Sequence, residues 1–389
     1  MSVQTAKRLE TVQEYYFSRK LREVRELAAS GKSIINMAIG SPDLEPPVQV
    51  IKEIQQAATM PGAHKYQSYQ GLPELREAFA TFYQERYEVS LNPVNEILPL
   101  IGSKEGIMHI SMAYLNEGDQ VLIPNPGYPT YAAITNLVGA SPLFYDLKAE
   151  NNWYPDFKTL EKQDLSGVKL MWVNYPNMPT GAPASKGLFQ QLIDFATKHH
   201  ILLVHDNPYS FVLNEQPLSI LSIPDAKKVA LELNSLSKTF NMAGWRVGML
   251  AGSADKIEAV LKVKSNMDSG MFYGLQKGAI VALQSSASWY NKINTIYQER
   301  RNYIWNLADQ LNCSYDKNAT GMFVWAKLPG NNADDVSFID NILYRNDVFI
   351  TPGSIFGSNG KGYIRFSLCV SKEKIAEAIE RLQHHKVSL

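Results

Sequence analysis

Apolar residues in the middle of this chain fall in short, closed runs: NEILPLIG, DQVLIPN, SPLFYDL, VKLMWVNYP, ILLVHDNP, VALELNS and VGMLAG. Each run is apolar at successive rather than alternate positions, the pattern of a strand covered on both faces. Between them stand segments with apolar residues three and four apart, KEGIMHISMAYL and KGLFQQLIDFATKHH among them, which is the spacing of an amphipathic helix. Strands buried on both faces and separated by helices predict an α/β fold with a mostly parallel sheet covered by helices.

The two ends of the chain read differently. Residues from Val12 to Ala29 have helical character and lead into SIINMAIGSPDLEPP, a strand-like run broken by Gly and Pro. Beyond the sheet, Ser286 to Leu311 reads as one long helix. The strand TGMFVWAKL, the run DVFITPG, the strand KGYIRFSLCV and a C-terminal helix with Ile375, Ile379 and Leu382 on one face follow it. The pairs His199–His200 and His384–His385 read as helix caps. The expectation is a large cofactor-binding domain over 46–280 and a smaller α+β domain made from 1–45 and 281–389. A length of 389 residues suits two cores better than one.

Composition narrows the classes of partner. Lys and Arg total 38 against 38 Asp and Glu, so no net basic field is available to hold nucleic acid. Neither a helix-turn-helix pattern nor a basic surplus precedes Gly40, which speaks against a cofactor-binding regulator fused to a DNA-binding module. The two cysteines, Cys313 and Cys369, lack CxxC spacing, and no His/Cys/Asp/Glu group has metal-ligand spacing. The N-terminus is charged without an apolar leader, and no apolar stretch approaches membrane-spanning length. A cytoplasmic protein is the expectation.

In an open α/β sheet, ligands bind beyond the carboxyl ends of the strands. The run ILLV delivers Asp206 and Tyr209 to that edge, VALEL delivers Asn234, Ser235, Ser237 and Lys238, and VKLMWV delivers Asn174 and Asn177. In IGSKEG, Gly102, Ser103 and Lys104 stand where a strand gives way to a helix, a place that suits an anion or a plain helix cap. Arg246, after Gly244, offers a planar fork to the same anion. No GxxxxGK[ST] occurs and no GxGxxG follows a strand. An anion cradle, a lysine at one strand end and an aspartate at the next match one cofactor, pyridoxal 5'-phosphate.

The stretch SLSKTFNMAGWRVG resembles the cofactor-lysine motif SxSKxxxxxGxRxG of class I/II aminotransferases, the fold-type I pyridoxal-phosphate enzymes. NMAIGSPD, YQSYQGLPELR, GSKEG, PNPGYPTY, NYPNMPTGA, HDNPYSF, TPGSIFG and GYIRFSL follow in that family's order over nearly the whole chain. The resemblance implies that Lys238 forms the Schiff base and carries the proton, that Asp206 keeps the pyridine nitrogen protonated, and that Tyr209 hydrogen-bonds the 3'-oxygen. It further assigns the phosphate to Ser103, Lys104, Ser235, Ser237 and Arg246, the ring face to Tyr128, and the substrate α-carboxylate to Arg365 with Gly40 beside it. Tyr66 resembles a tyrosine that crosses to the phosphate of a neighbouring subunit, which implies a homodimer with shared sites.

One departure stands out. The family commonly has Asn before PTG, donating to the 3'-oxygen, whereas this chain has Met178 there. Either Asn177 or Asn174 substitutes through a shifted loop, or Tyr209 acts alone, which would raise the pKa of the lysine–cofactor imine. The activity implied is a ping-pong exchange of an amino group between an L-amino acid and a 2-oxo acid. A lyase of the same fold is the alternative reading, and a non-catalytic cofactor-binding protein a more distant one. KSNMDSGMF resembles a stretch of the LL-diaminopimelate, alanine and aspartate-type subgroup. For the substrate side chain, Lys104 and Tyr66 suit a polar end, and Tyr16, Phe17 and Met271 a neutral one.

Overall fold

The computed structural model describes residues 3–10, 14, 16–330 and 334–384. Val12, at the start of the expected first helix, and His385 lie outside the described residues; that helix is observed over Tyr16–Ala29.

All seven apolar runs form one sheet. Its order is Ile97–Leu100, Gly248–Ala251, Ala230–Ser235, Leu202–Asp206, Val168–Val173, Gln120–Asn125 and Ser141–Asp146. Gly248–Ala251 runs antiparallel to both neighbours, and the remaining pairs are parallel. The reason for the unbroken apolar runs is visible at the centre, where all six residues of Ala230–Ser235 are buried. On one face, Trp172, Val204, Leu231, Leu233 and Leu250 pack with Ile107, Ile110 and Ile134 from the helices Ser103–Tyr114 and Pro129–Leu137. On the other, Met171, Val173, Leu203 and Met249 pack with Leu188, Leu192 and Phe195 of the helix Lys186–His199 and with Phe79 and Phe82 of Pro73–Tyr87.

Local signals set the helix ends. Ser185 accepts the Leu188 backbone N–H at 3.1 Å, an N-cap. His200 closes the same helix at φ 56°, the left-handed C-terminal conformation in which its own N–H caps the last turn. Glu105 Oε2 accepts the Ile101 N–H at 2.6 Å, so the start of Ser103–Tyr114 is fastened by its own first turn.

A second body of apolar side chains joins the chain ends. Phe17, Val24, Ile35 and Met37 pack with Ile304, Leu307, Phe323, Phe349, Phe366, Ile375, Ile379 and Leu382. Its antiparallel sheet has the order Thr351–Pro352, Tyr363–Ser367, Phe323–Lys327, Ser314–Tyr315. Ile35–Asn36 pairs in parallel with Val348–Phe349, and the long helix is observed over Ala287–Gln310. Among the described residues no helix is long and apolar enough to cross a membrane.

Arg300, on that long helix, is buried. It donates to both carboxylate oxygens of Asp43 at 2.7 and 2.8 Å and to the Leu368 carbonyl at 2.9 Å. One guanidinium thereby fixes the segment that follows Gly40 against the C-terminal strand. Asp43→Ala leaves that buried charge without its anion and is expected to lower stability by about 2 kcal/mol, the usual cost being reduced by the partial exposure of Asp43. Denaturant titration checks this. Arg300→Met added to Asp43→Ala should recover part of the loss, and a further loss contradicts it.

Candidate active site

The carboxyl ends of six strands of the large sheet share one edge, and there the chain closes a cavity of about 630 Å³. It is walled from the large sheet by Ser103, Lys104, Tyr128, Asn174, Asp206, Tyr209, Ser235, Ser237, Lys238 and Arg246, and from the two chain ends by Phe17, Leu21, Gly40, Phe323, Phe356 and Arg365. Of the residues predicted for the cofactor and the α-carboxylate, all but Asn177 and Tyr66 therefore meet in one place; of those named for a neutral side chain, Phe17 lines the cavity, whereas Tyr16 and Met271 do not. Asn177 is buried in its own loop, where Oδ1 accepts from the Thr180 hydroxyl at 2.8 Å and Nδ2 donates to the Asn174 carbonyl. The nearby residue facing the cavity is Asn174, which donates to the Asp206 carbonyl at 2.6 Å and accepts the Met178 N–H at 2.7 Å. Tyr66 is 90% exposed on the surface of this single chain.

Asp206 ends the strand Leu202–Asp206 and is buried. Oδ2 accepts the Tyr131 hydroxyl at 2.8 Å, whereas Oδ1 is buried with no hydrogen-bond partner among the described residues. Burial pushes the carboxyl up to about 6, against the hydrogen bond from Tyr131 and the charge of His205. The sequence reading missed Tyr131. It lies three residues after Tyr128, one turn into a helix opened by Pro129, and its ring stacks on Trp172 at 4.9 Å with planes 2° apart. PNPGYPTY offers two tyrosines a turn apart, and that spacing was the available signal.

Lys238 sits on the short helix Leu236–Thr239, whose start is capped by Ser235 Oγ accepting the Ser237 N–H at 3.1 Å. Its Nζ donates to the Gly40 carbonyl. Burial, with the charges of Arg365 and Arg246 adding to it, holds the amine below its ordinary range.

An anion cradle lies beside it. Gly102 precedes the helix Ser103–Tyr114 at φ +85°, and a Cβ there would meet Arg246 Nη2 at 2.2 Å. A Cβ on Gly248 would meet the Ser103 nitrogen at 2.8 Å. Arg246, exposed and itself at φ 56°, thus reaches a helix N-terminus that only glycine backbone leaves open. Burial and the neighbouring Arg246 also lower Lys104. Behind this turn, atoms of Glu105, His109 and Asp268 come within 4.8 Å of one another, and Lys264 Nζ pairs with Asp268 at 2.9 Å, so the helix is tied to the 264–270 loop.

Arg365, from the strand Tyr363–Ser367, closes the other end. Its guanidinium lies 4.0 Å from the Phe323 ring and 4.6 Å from the Phe356 ring, an arrangement that fixes a planar cation with little entropy left to lose. Nη2 donates to the Ala38 carbonyl at 2.8 Å, and Nη1 lies 3.2 Å from Met178 Sδ. The departure at Met178 therefore falls against the arginine, where a thioether is a weak acceptor. Gly40 is required at this end because a Cβ would come within 2.3 Å of Phe323.

These features fit pyridoxal phosphate at opposite ends of one ligand. The bare Oδ1 of Asp206 suits a protonated ring nitrogen, the helix N-terminus with Arg246 suits the phosphate, and Lys238 stands between them and Arg365. In the cofactor-free protein, the raised Asp206 value has a testable sign. The folded state binds this proton more tightly than the unfolded state, so stability falls as pH rises from the ordinary 3.8 through about 6. Asp206→Asn keeps an acceptor for Tyr131 and cannot ionise. It is expected to be more stable than the parent at pH 7.5 by up to ~3 kcal/mol, with the difference gone at pH 4. Equal destabilisation at both pH values contradicts this.

Residues 32–382 match the family model for aminotransferase class I and II. LL-diaminopimelate aminotransferases of Dehalococcoides mccartyi strain 195 and Natranaerobius thermophilus are 39% and 41% identical to this chain, covering 98% of it and 98% and 99% of their own lengths. Apo-BacF from Bacillus subtilis superposes with a TM-score of 0.95 at 36% identity, covering 100% of this chain and 99% of that one. An aminotransferase from Staphylococcus aureus superposes at 0.88 with 31% identity and 98% of both chains covered. Sequence match, superposition and a glycine-lined helix-end cradle beside a buried lysine agree: this chain belongs to the class I and II aminotransferases and is a pyridoxal-phosphate-dependent transaminase.

Proposed function

We propose that this aminotransferase takes its amino group from LL-diaminopimelate and passes it to a 2-oxo acid, using one cavity for both half-reactions. The observation that carries the reading is the pairing of two cations in that cavity, Arg365 at one wall and Lys104 at another, a match for an amino acid with a carboxylate at each end. The names of the full-length relatives support the same donor. Phe17, Leu21, Phe323 and Phe356 in the wall favour a second reading, a neutral or aromatic donor.

When bound, the cofactor supplies an aldehyde that captures the amine and an electron-poor ring that takes up the electron pair left at the substrate Cα. The proposed work of the chain is then divided as follows. Arg365 holds the α-carboxylate through its planar fork, with Gly40 giving close approach. Lys238, an amine held low by burial, carries the proton removed at Cα. Asp206 keeps the ring nitrogen protonated, Tyr209 donates to the ring oxygen, and Tyr128 covers the ring face. Ser103 and Lys104, through their backbone N–H groups, hold the phosphate with Ser235, Ser237 and Arg246, which leaves the Lys104 ammonium for the distal carboxylate. Asn174, rather than Asn177, is the amide available near the ring. The chain falls into a large domain over 46–280 and a small one from 1–45 and 281–389, with the cavity between them. Tyr66, exposed in one chain, completes the site of a second copy in a homodimer.

Lys238→Ala is expected to abolish transamination and the visible absorbance of the bound cofactor. Retained turnover refutes the assignment. Arg365→Ala should raise KM for every amino donor by roughly 100-fold, as loss of a charged bidentate contact implies, while leaving cofactor absorbance intact.

A donor panel of LL-diaminopimelate, methionine, phenylalanine and aspartate against 2-oxoglutarate, pyruvate and oxaloacetate decides the substrate. The highest kcat/KM for LL-diaminopimelate supports the proposal, and preference for phenylalanine or methionine replaces it. Steady release of ammonia with a 2-oxo acid in the absence of an acceptor would restore the lyase reading.

A further inference from the structure

The helices Lys186–His199 and Ser103–Tyr114 begin differently. Ser185 caps the first with a side-chain oxygen, whereas the N-cap of the second is Gly102, which has no side-chain oxygen to offer. The other half of a capping box is present. Glu105, the third residue of its helix, turns Oε2 back to the Ile101 N–H at 2.6 Å, and its own N–H donates to the Gly102 carbonyl at 3.2 Å. In a complete box an N-cap hydroxyl would take up a first-turn N–H. A glycine leaves that place to an outside acceptor, and the phosphate assigned to Ser103 and Lys104 is one.

The turn is confined from its other sides. A Cβ on Gly248 would meet the Ser103 nitrogen and the Asn234 carbonyl oxygen, each at 2.8 Å, and a Cβ on Gly102 would meet Arg246 Nη2 at 2.2 Å. The strand Gly248–Ala251 and Arg246 thus press on the turn from two directions, and the bond from Ile101 to Glu105 closes it from the helix. Glu105 is itself held in place. Its Oε1 lies 3.0 Å from Nε2 of His109, one turn further on and buried. A donor atom of Asp268 comes within 4.8 Å of both, and Asp268 Oδ1 is fixed by Lys264 Nζ at 2.9 Å and the Gly270 N–H at 2.7 Å. Glu105 is not among the residues that wall the cavity, so it acts on backbone that meets a ligand rather than on the ligand.

A carboxylate in the first turn favours the helix dipole, yet it stands at the same end as the phosphate and opposes its negative charge. The charge of Glu105 therefore does not serve the ligand, whereas its acceptor oxygen can. We propose that Glu105 is a positioning residue for the cofactor phosphate: by taking the Ile101 N–H it sets the turn from Ile101 to Ser103 so that the N–H groups of Ser103 and Lys104 face the phosphate. This rests on the reading of that turn as the phosphate cradle.

The test titrates the full chain, freed of cofactor, with pyridoxal 5'-phosphate and with pyridoxal, which lacks the phosphate, following the visible absorbance of the bound aldehyde. Glu105→Ala removes the acceptor and should raise Kd for pyridoxal 5'-phosphate about tenfold, the worth of one hydrogen bond to a charged group, with Kd for pyridoxal unchanged. Glu105→Gln keeps an oxygen for the Ile101 N–H and drops the charge, so its Kd for pyridoxal 5'-phosphate should equal the parent's or fall below it. Parent affinity for both aldehydes in Glu105→Ala, or an equal loss for both, overturns the proposal, because Glu105 then only caps a helix. An equal loss in the Ala and Gln variants overturns it too, since the charge rather than the acceptor is then at work. If Glu105→Ala does not fold, Glu105→Asp withdraws the acceptor by one methylene and should weaken pyridoxal 5'-phosphate alone; parent affinity there also overturns the proposal. Arg246→Ala, run alongside, separates the two claims. If it leaves both affinities at the parent's values, the cradle reading fails and the role of Glu105 falls with it; if it weakens pyridoxal 5'-phosphate alone while Glu105→Ala does not, only the role of Glu105 fails.

Discussion

The site depends on one carboxylate held out of water. An isolated buried carboxylate drifts toward its neutral form, and a neutral Asp206 would have nothing to offer a pyridinium. The surroundings of Asp206 are a response to that constraint. A tyrosine fixed by stacking on Trp172 donates to one oxygen, the other oxygen is left bare among the described residues, and behind the sheet His205 lies hydrogen-bonded to Glu232 at 2.7 Å. The sheet makes this arrangement possible, because alternation along one strand puts the acid in the cavity and the histidine in the opposite core.

The opposite end of the cavity solves a different problem. A substrate-binding cation must keep its charge available and its geometry fixed before substrate arrives. Arg365 achieves this with aromatic faces, one carbonyl and a thioether, none of which neutralises it. Met178 fits that logic. A polar amide there would be a better hydrogen-bonding partner for the guanidinium, whereas sulfur occupies the space and competes weakly with an incoming carboxylate.

Much of this was legible in the sequence. The inner strands of the large sheet show as uninterrupted apolar runs because both of their faces are covered, unlike the largely exposed edge strand Ser141–Asp146, and a run ending in polar residues marks the functional edge. Lys238, Asp206, Arg246 and Ser103 could be read because their positions follow from where strands stop. Tyr131 and His205 could not be assigned in the same way. A helix-borne tyrosine and a strand histidine each have ordinary packing roles, and only the register of Leu202–Asp206 against Ala230–Ser235 and the stack on Trp172 give them partners. Asn177 and Asn174 were indistinguishable on paper, since which of two amides faces the cavity depends on how the loop turns. The short strands Ile35–Asn36 and Val348–Phe349 are too brief to carry a period and are defined by pairing across the length of the chain.

That pairing divides the cavity in time as well as in space. The groups that one chain itself offers the cofactor lie between Gly102 and Gly248, whereas the carboxylate clamp needs Phe17 and Gly40 from one end of the chain and Phe323, Phe356 and Arg365 from the other. During synthesis the cofactor half is complete in sequence while the arginine is still untranslated. The catalytic unit is therefore complete in sequence only once the last strands, which pack against the first helix, have been made.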